Sequence, residues 1–86
     1  MENKKLLIVF TSYYFGDKAD KILTELELPH QLMATPPELN DMCGLSIQIE
    51  PTIVNRVQTA LKEHKISTSG LFWYEKGKSA VAYIMI

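Results

Sequence analysis

Cys43 is the single cysteine of this 86-residue chain, and it stands in the segment Pro36-Pro37-Glu38-Leu39-Asn40-Asp41-Met42-Cys43-Gly44-Leu45. A thiolate is a nucleophile that takes part in exchange at sulfur, so a cysteine held in place by its neighbours is a candidate reactive thiol. The twin prolines stiffen the approach to it. Gly44 lets the backbone come close to other groups or adopt a conformation that side chains resist. The same residue also has a plain reading as a small buried hydrophobe, the usual fate of a free cysteine. Glu38 and Asp41 read as solvated loop charges that would raise the thiol pKa if they lay near it.

Other chemistry is thin. His30 and His64 are the only histidines, His30 opening a strand and His64 ending a helix, where a cation suits the dipole. A Cys43–His64 pair is geometrically open, with helix capping as its alternative. Tyr13 and Tyr14 either line a shallow pocket beside the cysteine or simply pack. Ligand spacing for zinc, a Gly-rich phosphate loop, a serine-nucleophile motif and a basic stripe are all missing from the sequence. No metal and no cofactor is expected.

The elements that must position Cys43 follow from hydrophobic periodicity. Lys5 to Phe10 (KLLIVF) is a short apolar run that predicts a central strand. Ser12 is a helix N-cap, and Phe15, Ala19, Ile22, Leu23 and Leu26 form one helical face. Asp17 and Lys21 make an i, i+4 pair outside it. Gly16 should weaken the first turn by roughly 1 kcal/mol relative to alanine, and Pro29 should stop the helix at Leu28.

His30 to Thr35 is a weaker strand, ended by Pro36 and Pro37. Gly44 to Glu50 alternates Leu45, Ile47 and Ile49 with Ser46, Gln48 and Glu50, which predicts a strand with one buried face. Pro51 is placed to open a second helix with Ile53, Val54, Val57, Ala60 and Leu61 inward and Arg56, Lys62 and Glu63 outward. Ser67 to Tyr74 is a fourth strand. Glu75 to Lys78 makes a turn around Gly77, and residues 79–86, opening on Ser79 and closing on Ile86, make a fifth strand.

This order gives an α+β fold, the ferredoxin-like βαββαβ two-layer sandwich with an additional C-terminal hairpin strand, in strand order 2-3-1-4. One domain over 1–86 is expected, with its core at 5–74 and an extension at 75–86. In that plan the loop from Pro36 to Gly44 lies at the end of the sheet where the first helix begins. A helix N-terminus carries partial positive charge and free N–H groups, which favours thiolate over thiol.

Nine basic and ten acidic residues give a net charge of −1, which offers no electrostatic footprint for nucleic acid or an anionic membrane. A lone cysteine and the lack of a long apolar leader point to the reducing cytoplasm.

Residues 5 to about 72 resemble a bacterial family of small proteins described as selenium/sulfur carrier-like. The resemblance rests on Phe10-Thr11-Ser12 at the end of the first strand, Asp20 before Ile22-Leu23, and above all Pro36, Glu38 and Cys43-Gly44-Leu45. It implies that Cys43 holds sulfur or selenium as a persulfide or selenosulfide, received from a donor protein and passed to an acceptor, without stand-alone catalysis. Gly44, Ser12, Tyr13, Tyr14 and Pro36 would surround it. The chain departs from the family at Pro37, where a basic residue is common, and at Tyr13-Tyr14, where small residues or histidine are.

Two further readings stand beside this one. The first is a small-molecule-sensing module of the same fold, the second a protein-interaction module in which Cys43 only packs. The apolar strand at 79–86, beside Leu71, Phe72, Trp73 and Tyr74, would suit a homodimer interface.

Overall fold

The computed structural model describes residues 4–39 and 44–75. β1 (Lys4–Phe10) leads into α1 (Tyr13–Glu25), β2 (Gln31–Ala34) and a 3₁₀ turn at Pro37–Leu39. β3 (Leu45–Ile49), a 3₁₀ turn at Pro51–Ile53, α2 (Val54–Glu63) and β4 (Thr68–Glu75) follow. Among the described residues the fold is α+β, with two helices and a four-stranded sheet in the order β2-β3-β1-β4. Each neighbouring pair is antiparallel. That is the strand order expected from right-handed crossovers.

The registers decide what each face carries. Leu6 pairs with Ile49 and Trp73, and Ile8 with Ile47 and Leu71. These side chains share one face and build the main core with Ala19, Ile22 and Leu23 of α1 and Val57, Ala60 and Leu61 of α2. Residues opposite one another on neighbouring strands point the same way, so the intervening positions face the other side. There Leu7, Val9 and Phe72 are buried as a second cluster with Met33, Leu39 and Tyr74 against it. A sheet with one bare face, as the two-layer plan implies, is therefore not what is found. β1 lies within the sheet and is buried on both sides, which is why KLLIVF shows no alternation.

The helix ends differ from expectation. Proline does not set the end of α1. The chain turns out at Glu27, whose φ is 58°. The Leu28 N–H reaches the Leu23 carbonyl at 2.9 Å and the Glu27 N–H the Thr24 carbonyl at 3.0 Å. α2 closes the same way at Lys65 (φ 56°), with the Ile66 N–H on the Leu61 carbonyl at 2.9 Å and the Lys65 N–H on that of Lys62 at 3.1 Å. Both are Schellman closures made without glycine, and each buries the apolar residue that follows, Leu28 or Ile66. Leu26, expected on the buried face, is 49% exposed because the helix has already ended there.

Two other expectations shift. Pro51 opens a 3₁₀ turn rather than α2 itself. Ser46, on the polar side of its alternating strand, is fully buried. The expected pair of Asp17 and Lys21 forms, at 3.0 Å. The turn beyond Glu75 and the strand at 79–86 lie outside the described residues.

Candidate functional site

The site is built where β1 hands over to α1. Ser12 takes extended backbone (φ −157°, ψ 163°), and its Oγ accepts the Phe15 N–H at 3.3 Å, the N-cap geometry its position in the sequence foretold. The Gly16 N–H donates to the Ser12 carbonyl at 3.1 Å. Beside it, Thr11 donates both its N–H (3.3 Å) and its hydroxyl (3.4 Å) to the Ser67 carbonyl, tying the top of β1 to the approach to β4.

The second wall comes from the β2–β3 connection. The Thr35 N–H donates to the Gly44 carbonyl at 2.8 Å, so the two arms of the connection are still paired at Gly44. Pro36 is half-buried and accepts the Leu39 N–H at 2.9 Å, closing the 3₁₀ turn that Pro37 opens. Thr35 Oγ1 and the buried Ser46 Oγ share a hydrogen bond at 2.6 Å. A buried hydroxyl needs such a partner, and this one fastens the same corner.

Two glycines bring the walls together. A Cβ on Gly44 would stand 2.5 Å from the Tyr13 phenol oxygen, so the first residue of α1 reaches across to the chain just after position 43. A Cβ on Gly16 would stand 2.5 Å from Leu45 Cδ2 and 3.3 Å from Leu45 Cβ. Gly16 is thus the place where α1 presses on β3, rather than merely a weak point in its helix.

Tyr13 and Gly44 touch, and Ser12 and Pro36 lie at the same end of the sheet, at the end of β1 and of β2. Tyr14 is turned to other partners: its ring meets Phe15 edge-on at 5.2 Å, and Lys18 Nζ lies 5.8 Å from its centroid. Cys43 and Asp41 lie outside the described residues. Glu38 is exposed in the 3₁₀ turn.

The histidines take structural places. His30 packs between α1 and the start of β2, with Nδ1 2.8 Å from the Leu28 carbonyl and Nε2 2.7 Å from Asp20 Oδ1. Asp20, one of the residues behind the family resemblance, thus anchors His30. His64 is the exposed C-cap of α2, as its position suggested. Lys5 pairs with Glu50 at the sheet end near His30. Among the described residues no cluster of three or more His, Cys, Asp or Glu is placed to hold a metal. No helix among them is long and apolar enough to cross a membrane.

The Thr35–Ser46 hydroxyl pair gave no sequence signal, since a serine in an alternating strand reads as solvent-facing. The Gly16 contact did leave one: Gly16, Ala19 and Leu23 fall at i, i+3 and i+7 on the buried face.

Residues 5–72 match a family model described as "Putative Se/S carrier protein-like". The chain belongs to this carrier-like family. The match runs from β1 into β4 and spans position 43. Searches of curated proteins and of solved structures returned no match.

Proposed function

We propose that this carrier-like chain holds sulfur or selenium on Cys43 and moves it between two partner proteins. The observation that supports this reading best is the contact of the Tyr13 phenol with Gly44, which sets the residue after Cys43 within one side chain's reach of the start of α1. A thiol at a helix N-terminus is shifted toward the nucleophilic thiolate. We read the architecture around it as the ferredoxin-like sandwich, with its β1–α1 junction at that end.

The chemistry balances without an added oxidant. The Cys43 thiolate attacks the outer sulfur of a donor persulfide, R–S–SH. A new S–S bond forms to Cys43, the donor's S–S bond breaks, and the donor leaves as the thiolate R–S⁻. Cys43 then bears the persulfide. A nucleophile on the acceptor takes the outer atom, and the Cys43 thiolate is restored. A selenium cargo follows the same path as a selenosulfide. Such traffic suits a reducing cytoplasm, and the chain acts as a carrier rather than a stand-alone enzyme.

The test is the reactivity of Cys43 in the folded protein. Alkylation should be faster than for a free cysteine, with a thiol pKa below about 8.5. Incubation with a persulfide donor should add the mass of one sulfur atom to the wild type and none to a folded Cys43→Ser variant. A thiol slower than free cysteine, or equal uptake by Cys43→Ser, would refute the carrier reading.

A further inference from the structure

We propose that Tyr13 and Tyr14, with Lys18 and Lys21 behind them, form a docking patch for a partner protein that presents an acidic loop with an apolar tip. This rests on the carrier reading above, since a carrier must be met in turn by a donor and an acceptor.

Two large rings stand out into solvent at the start of α1. Tyr13 is 66% exposed and Tyr14 65%, more than any other large hydrophobic side chain among the described residues. Tyrosine is enriched at protein interfaces, where its ring is covered while its hydroxyl stays hydrated. The core does not need these two. Phe15, the next residue, packs against it, and Gly16, Ala19, Ile22 and Leu23 make the buried face of the helix. Tyr14 is steadied on the outer side by the edge of Phe15 at 5.2 Å and by Lys18 Nζ at 5.8 Å from its ring centroid. Tyr13 reaches with its phenol to Gly44, so the patch is continuous with the residue that follows Cys43. A partner seated on these rings lies against the end of the sheet where the cargo is exchanged.

The same face sets the sign of the partner. Behind the rings stand Lys18 and Lys21 against a single acid, Asp17, which is taken up by Lys21 at 3.0 Å. Lys18 lies on the Tyr14 ring and has no acidic partner among the described residues. α1 carries no acidic residue in its first turn, so the partial positive charge of its N-terminus is unanswered there. Apolar rings ringed by positive charge complement a loop with an apolar tip and carboxylates beside it. The patch is small beside the roughly 1,000 Å² of a lasting interface, which suits a carrier that must release each partner.

The test uses the full chain and two short synthetic peptides that share a central serine with flanking leucines, one ending in aspartates and the other in lysines. In NMR titrations the aspartate peptide should shift the Tyr13, Tyr14 and Lys18 amides and bind in the roughly millimolar range, about tenfold more tightly than the lysine peptide. Raised salt should narrow that difference. Lys18→Glu should erase or reverse it, with an unchanged circular-dichroism spectrum. Tyr14→Ala should weaken binding of the aspartate peptide about tenfold, and Lys18→Glu alone decides if that variant folds poorly. Equal binding of the two peptides, binding of neither, or shifts confined to another surface would overturn the proposal. So would a preference that Lys18→Glu leaves intact. The peptides carry no persulfide, so these results are independent of sulfur uptake by Cys43, which tests the carrier reading separately.

Discussion

Tyr13 rests its phenol oxygen on the spot where a side chain at Gly44 would begin. The contact joins a helix start to the chain leaving the cysteine loop, yet it is made by the far end of a ring that is 66% exposed. Such a ring can swing aside. Gly44→Ala is therefore expected to cost less than about 1 kcal/mol in denaturant unfolding. It should still displace the tyrosine, read as a change in the Tyr13 ring resonances by NMR. Unchanged ring resonances would mean that the two residues do not touch in solution.

Gly16 should behave differently, because crowding there extends to the Cβ of Leu45, fixed to the strand. Gly16→Ala gains about 1 kcal/mol of helix propensity. It also overpacks the α1–β3 contact by roughly 1–3 kcal/mol, so the net change is destabilising. In a Leu45→Ala background the Cγ and Cδ2 contacts are gone and only the 3.3 Å approach to Cβ remains, so the same substitution should be clearly less destabilising. Equal effects in both backgrounds would show that the close approach is not what requires glycine.

Glu27 and Lys65 adopt positive φ without being glycine. The left-handed conformation costs an ordinary residue roughly 1–2 kcal/mol, against which glycine's extra unfolded-state freedom counts about 0.5–1 kcal/mol. Glu27→Gly and Lys65→Gly should each raise stability by about 0.5–1 kcal/mol in thermal or denaturant unfolding. Glu25→Gly, at the last residue of α1 where φ is not positive, should lower it by up to that amount. If the two closure variants were as destabilising as the control, those turns would not be left-handed in solution.

Ser46 and Thr35 form a hydroxyl pair with its serine end fully buried. Thr35→Val leaves the Ser46 hydroxyl without its partner, an expected cost of about 1–3 kcal/mol. Pairing that change with Ser46→Ala removes both polar ends and should recover most of the loss. A double variant as unstable as the sum of its singles would argue against the pair.

The chain discloses much of this fold. Ser12 before an apolar helical face locates the N-cap. The alternation of Leu45, Ile47 and Ile49 locates β3, and the unpatterned KLLIVF locates the strand at the centre. What stays hidden depends on partners distant in sequence. Ser46 looks like a surface residue until the opposite face proves to be packed. Glu27 and Lys65 carry no mark of a left-handed turn, since the tertiary burial of Leu28 and Ile66 sets it. At the site, the meeting of Tyr13 with Gly44 is a product of topology that no local pattern announces. Pro36 and Ser12 could be located by local rules, and that they share one end of the sheet could be argued only through the strand order.

The pairing of Lys4 with Glu75 brings together the first and last of the described residues. β1 takes its place only between β3 and β4, both of which follow it in the chain. During synthesis, then, β1 stays apolar and unpaired until β3 and β4 have been made. Folding built on such distant partners is slow for a chain of this size. Its period of greatest exposure to misassembly falls before β4 arrives, so truncations within β4 should be more harmful to yield than their length suggests.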